Sequence, residues 1–154
     1  MPDGIKTFMV ENAEIFYLNF SGIEKQYNSE GDRNFLCVLD EDAAVKMAQD
    51  GWAVKFPETS DEEPGKRPFI KIKVGYKIRP PKIVMITTTA RTDLTEDTVG
   101  VLDWANIQHV DLIAQSYNWT YGSKTGVSAY LKTMFITVEE DELERKYALY
   151  DQEA

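Results

Sequence analysis

Phe69–Arg79 reads FIKIKVGYKIR. Alternate residues fall into two sets. Phe69, Lys71, Lys73, Gly75, Lys77 and Arg79 form one, and Ile70, Ile72, Val74, Tyr76 and Ile78 form the other. Successive side chains of a β-strand point to opposite faces. The stretch therefore predicts a strand that buries Ile70, Ile72, Val74 and Ile78 and turns Phe69, Lys71, Lys73, Lys77 and Arg79 outward. Pro80-Pro81 should end it, because proline cannot donate to a ladder.

Strand signals continue on both sides. Thr7–Phe20, TFMVENAEIFYLNF, is rich in aromatic and β-branched residues and reads as one long strand bent near Asn12. Ser21–Asp32 is a polar loop, and Arg33–Leu39 a second strand. Asp40 is placed to cap a helix that Gly51 stops, and Trp52–Phe56 reads as a short strand. Beyond the prolines, Lys82–Ala90 reads as a strand and Arg91–Trp104 as a short helix, with Asp93 and Glu96 as a capping box. His109–Trp119 and Val127–Val138 read as strands joined by a hairpin through Tyr121–Gly126. Six or seven strands and two or three short helices make the fold mainly β, a small barrel or sandwich rather than a parallel α/β sheet. Residues 1–138 are expected to form one domain, followed by an acidic tail, 139–154, in which Leu143, Tyr147 and Tyr150 share one face at helical spacing.

The chain has 154 residues, and its 43% hydrophobic share is sufficient for a core of that size. No apolar run approaches a membrane span, and the N-terminus lacks the basic-then-apolar order of a signal peptide. Cys37 is the single cysteine and lies in the apolar run NFLCVLD, so it reads as a small buried hydrophobe in a reducing, cytoplasmic setting. The net charge is −9, but it is unevenly placed. Between Gly65 and Thr92 stand eight basic residues (Lys66, Arg67, Lys71, Lys73, Lys77, Arg79, Lys82, Arg91) and no acid. From Glu139 onward, seven acids face only Arg145 and Lys146. A local basic groove is compatible with an acidic chain, because screening confines each charge to roughly 8–10 Å at physiological salt.

A solubilising face ordinarily mixes both signs. An acid-free basic row, with Cα atoms of alternate residues roughly 6.6–6.8 Å apart, is instead suited to following a phosphate backbone. Phe69 offers a flat face at one end of the row, and Gly75 lets a ligand approach the backbone. Tyr117, Trp119 and Tyr121 alternate just before a hairpin tip that carries Lys124, a pattern fit for stacking bases and equally common in cores. Tyr27 and Arg33, in and beside the first loop, and Lys82 after the prolines complete the candidate contacts.

Catalytic signatures are missing. The sequence has no phosphate-binding glycine loop and no Ser in a nucleophile elbow. Cys37 and His109 are each single, which leaves no Cys/His zinc set. Asp40-Glu41-Asp42 reads as a helix start and Asp61-Glu62-Glu63 as a solvated loop. Neither an enzyme nor a cofactor or metal is expected. Association into oligomers is compatible with the composition. A structural or interaction protein, such as a virion component or a host-factor binder on a β-barrel, is the other class consistent with the basic row.

GDRNFLCVLD (31–40), GYKIRPPKIVMIT (75–87), VLDWANIQHVDLI (101–113) and KTGVSAYLKTMFITVEEDELE (124–144) together resemble a family of tailed-bacteriophage single-stranded DNA-binding proteins. The resemblance runs from about Phe8 to Tyr147. It implies an OB-fold barrel with added strands, a DNA groove across one sheet, and an acidic tail that meets phage replication or recombination proteins. The end YDQEA departs from the hydrophobic tip of bacterial homologues, so docking by that route is not implied.

Overall fold

In the computed structural model, the residues described are 5–23, 31–58, 65–77 and 79–139. The order is β1 (Thr7–Val10), β2 (Ile15–Asn19), β3 (Asn34–Val38), α1 (Glu41–Gln49), β4 (Val54–Lys55), β5 (Phe69–Lys73), β6 (Lys82–Ile86) and β7 (Arg91–Leu94). A 3-10 helix, Val99–Trp104, precedes β8 (Ile107–Tyr121) and β9 (Lys124–Val138). Among the described residues no helix is long and apolar enough to cross a membrane.

Among the described residues one nine-stranded sheet contains every strand, and its main path runs β1-β8-β9-β5-β3-β2. β4 lies beside β5, β6 beside β9, and β7 beside β6. The expected barrel is not closed by hydrogen bonds, since β1 and β2 pair with β8 and β3 but not with each other. The reason lies in the bend at Asn12, whose φ of 51° turns the chain sharply, a conformation asparagine tolerates better than most residues. The expected single strand thus becomes two, one at each end of the path. The connection itself bridges those ends. The N–H of Ala13 donates to the carbonyl of Val110 in β8, and the carbonyl of Glu14 accepts from Val38 in β3.

β8 and β9 form a long antiparallel hairpin that closes in two residues, Gly122-Ser123, with Gly122 at φ 61° as a primed turn requires. Its other edge is shared. β5 runs parallel to β9 at Ala129 and Tyr130, and β6 runs parallel to it from Thr133 to Thr137. A bulge at Lys132 separates the two stretches, so Ala129 and Leu131 are buried before it and Met134, Ile136 and Val138 after it. The core gathers these with Phe35, Ile70, Ile72 and Leu112, and Phe20 stacks on Phe35 at 5.3 Å between ring centroids.

Two expectations need correction. Arg91–Leu94 is a strand, paired with β6 from Ile86↔Arg91 to Ile83↔Leu94, because the edge of β6 needs a partner. Asp93 is therefore inside a strand and caps nothing; Thr95 and Thr98 organise the turn instead, with the Thr95 N–H donating to Thr98 Oγ1 at 2.8 Å. The Phe69–Arg79 strand ends at Lys73 rather than at the prolines. Lys73 stands opposite Tyr130 and Lys82 opposite Thr133, so the chain takes nine steps where β9 takes three and must leave the sheet between them. The helix after Asp40 is as expected, with the Asp40 carboxylate accepting from the Ala43 N–H and Gly51 at φ 96° past its end. The tail stripe Leu143, Tyr147 and Tyr150 lies outside the described residues.

Candidate functional site

Alternation on β5 holds for as long as the strand lasts. Ile70, Ile72 and Val74 are buried, while Lys71 and Lys73 are exposed. Lys77 and Arg79 sit on the excursion that follows, also exposed, and reach the site from there rather than by continued alternation. The four cations line one groove of about 650 Å³ together with Arg33, Tyr76, Tyr117 and Tyr130. Among the described residues Lys71, Lys73, Lys77 and Arg79 make no ion pair. Their charge therefore has no fixed acidic partner among the described residues.

Arg33 differs from them. Its Nε donates to the Phe20 carbonyl at 3.0 Å, its guanidinium lies 5.4 Å from the Tyr76 ring centroid, and it stands 3.6 Å from Glu96. With a side chain only 17% exposed, Arg33 organises the groove wall as well as facing it. Arg67, also in the basic run, is held at 2.8 Å by both carboxylate oxygens of Glu14 and packs over Phe16.

Three tyrosines give the groove its flat surfaces. Lys73 and Tyr130 are register partners, and the Lys73 ammonium lies 5.9 Å from the Tyr130 ring centroid, within range of a cation–π attraction. Tyr117 meets Tyr130 edge-on at 5.6 Å. A Cβ on Gly75 would lie 3.1 Å from the Tyr130 ring, so glycine at that position lets the ring close against the backbone. Gly75 thus makes room for Tyr130 in the groove wall. The Tyr76 hydroxyl is sealed from solvent and has no hydrogen-bond partner among the described residues. Burial raises the Tyr76 phenol above its ordinary pKa, with Arg33 opposing and Glu96 adding to the rise. Burial, then Tyr117 and Asp32, raise Tyr130 likewise. Both rings remain neutral at physiological pH.

The other expected contacts are dispersed. Phe69 lies at the far end of β5, on a second groove. Lys82 is exposed at the start of β6 but lines neither groove. Trp119, Tyr121 and Lys124 belong to the outer part of the β8–β9 hairpin, where residues 117–125 are all exposed. There the Trp119 indole covers Gly126, against which any Cβ would collide, and remains 38% exposed. Tyr27 is outside the described residues. Elsewhere, Cys37 is buried and its thiol is pushed up to about 12 by that burial. His109 pairs with Asp111 at 3.0 Å on the surface. Tyr76 and Tyr130 were not among the expected contacts. Tyr76 falls by alternation opposite the lysines, and Tyr130 becomes a neighbour of the basic row only when β5 docks on β9.

A sequence profile described as "Putative phage ssDNA-binding domain" matches residues 3–152. No curated protein matches the chain in sequence. In structure it is similar to the single-stranded DNA-binding protein from bacteriophage Enc34, with a TM-score of 0.55 at 12% identity over 84% of this chain and 79% of that one. A C-terminal truncation of the Enc34 protein gives a TM-score of 0.57 at 11% identity, covering 88% of this chain and 87% of the other. The Enc34 protein in complex with ssDNA gives 0.56 at 10% identity, covering 88% of each. At such identities the likeness concerns the fold, and the profile match over nearly the whole length carries the assignment: the chain belongs to the phage ssDNA-binding domain family.

Proposed function

We propose that this chain binds single-stranded DNA with little sequence preference, coating and protecting exposed strands during phage DNA replication or recombination. The observation that carries the reading is the groove along β5, where four cations with no ion pair among the described residues adjoin three tyrosine rings. Phosphates of an extended strand lie against Lys71, Lys73, Lys77 and Arg79. Bases turn toward Tyr76, Tyr117 and Tyr130. Every base has a π-face, so stacking tolerates any sequence, at about 1–3 kcal/mol per base. Trp119, Tyr121 and Lys124 on the hairpin arm extend the same chemistry beyond the groove. Family membership and the fold shared with a protein solved in complex with ssDNA support the reading. Binding of this kind needs no bond making, and the protein acts by occupancy. The acidic residues after Glu139 serve as the segment that meets phage replication or recombination partners.

The test is a titration of fluorescently labelled oligo-dT and of a mixed-sequence oligonucleotide, followed by anisotropy and tryptophan fluorescence. Saturable binding of both with similar affinity, weakening as salt rises, is expected. Absence of binding at low salt, or strong preference for one sequence, would reject the proposal.

A further inference from the structure

Lys71 and Lys73 border two grooves. The second, of about 530 Å³, opens toward the Phe69 end of β5, and its walls include Leu36, Ala53, Phe56, Pro57 and Phe69. Strand register accounts for its position. Phe69 lies opposite Lys55 of β4 and Val38 of β3, and Leu36 lies opposite Lys71, so the outward face of β5 carries on past the lysines into an apolar hollow. Phe56 follows β4 directly and is 51% exposed. Lys55 adds a third cation to this groove, and among the described residues no acid lines it. The first groove, in contrast, includes Asp32 and Glu96.

We infer that the second groove is a further subsite for the same single strand, which crosses between the grooves over Lys71 and Lys73, with Phe56 as a stacking platform. The inference rests on the proposed single-stranded DNA binding. Two observations choose this occupant. The groove is continuous with the first through the shared lysines, and among the described residues its charge is purely positive beside apolar walls, the exposed Phe56 ring and the half-buried Phe69 ring, a combination matched by bases flanked by phosphates. From Phe69 to Lys73 the strand spans about 13 Å, a distance that a few nucleotides cover. A strand too short to reach across would fill one groove only.

The test compares Phe56→Ala with the wild-type protein on an oligo-dT of about four nucleotides and one of about twelve, lengths near the two ends of the roughly 4–16 nucleotides such folds occupy. Phe56→Ala should weaken the long oligonucleotide about 5- to 100-fold, the loss of one stacked base, and change the short one by less than about twofold. Phe56→Leu, which keeps the apolar volume, should behave in the same way as Phe56→Ala, with an unchanged melting temperature for both. Unchanged affinity at both lengths, or equal loss at both, overturns the second subsite. If Lys71→Gln/Lys73→Gln still weakens binding in that case, the first groove stands alone. Failure of the wild-type protein to bind either oligonucleotide overturns the underlying function as well.

Discussion

Neutralising Lys71 and Lys73 together, as Lys71→Gln/Lys73→Gln, measures how many charges the groove presents to phosphate. The count comes from the structure. Lys71, Lys73, Lys77 and Arg79 line the groove with no ion pair among the described residues, whereas Arg33 is committed to the Phe20 carbonyl, Glu96 and the Tyr76 ring. Each phosphate neutralised on a single strand contributes about −0.7 to the slope of log K against log salt. Four contacts give a slope of about −2.8, and raising salt from about 50 to about 200 mM should weaken wild-type binding about fiftyfold. With two lysines removed the slope should fall to about −1.4 and the loss over the same interval to about sevenfold. At about 0.1 M salt the variant itself should bind about 25-fold more weakly than wild type. Fluorescence anisotropy of labelled oligo-dT across a salt series gives both slopes. A wild-type slope near zero, or a double variant with the wild-type slope, refutes the reasoning. The melting temperature should hardly move, because both side chains are exposed.

Ile72 is fully buried between those lysines, so Ile72→Glu should abolish cooperative folding, visible as loss of the thermal transition, because an unpaired charge cannot be accommodated there. Trp119→Ala should weaken oligonucleotide binding about 5-fold or more with the salt slope unchanged, since stacking releases no counterions; unchanged affinity would place Trp119 outside the interface. Cutting the chain after Glu139, which keeps that residue's backbone bond to Asn106, should raise affinity most at low salt if the acidic tail competes for the groove, and equal affinity at every salt concentration would exclude competition. The Asp111 carboxyl is held below its ordinary pKa, first by the Asn12 N–H and then by His109. A depressed folded value adds stability that is present above the unfolded pKa and lost as pH falls through the folded one. Asp111→Asn should therefore flatten the decline of melting temperature below about pH 4 and leave neutral stability nearly unchanged after allowing for solvent screening.

Local period carried the sequence reading a long way. Alternation from Phe69 to Val74 places three side chains correctly on each side, and the β8–β9 hairpin is visible in its turn residues. The errors arose where partners distant in sequence decide the conformation. Arg91–Leu94 has helix-compatible spacing, yet the free edge of β6 recruits it as a strand. Lys77 and Arg79 continue the alternation on paper, but the spacing imposed by β9 lifts them out of the sheet. Tyr130 lies beyond a hairpin from the basic row, and its role depends on a parallel pairing that no local pattern announces. The same holds for the parity change at Lys132, which a strict period of two would read as an error in one half of the strand.

The placement of β1 and β2 at opposite ends of the strand path has a consequence for how the chain comes together. The hairpin closes through two residues, and β3 is the next described strand after β2, so both pairs can form from neighbouring sequence. β1 cannot. Thr7 pairs with Gln115, so β1 waits for a strand that lies far along the chain. Long-range pairings of this kind are entropically costly and slow to form. Until β8 appears, β1 is an unpaired segment tethered by four residues, 11–14, to a strand that already has its own partner. Completion of the N-terminal margin is then a late, C-terminus-dependent event, and a nascent or truncated chain lacking β8 leaves that margin open to pairing with other strands.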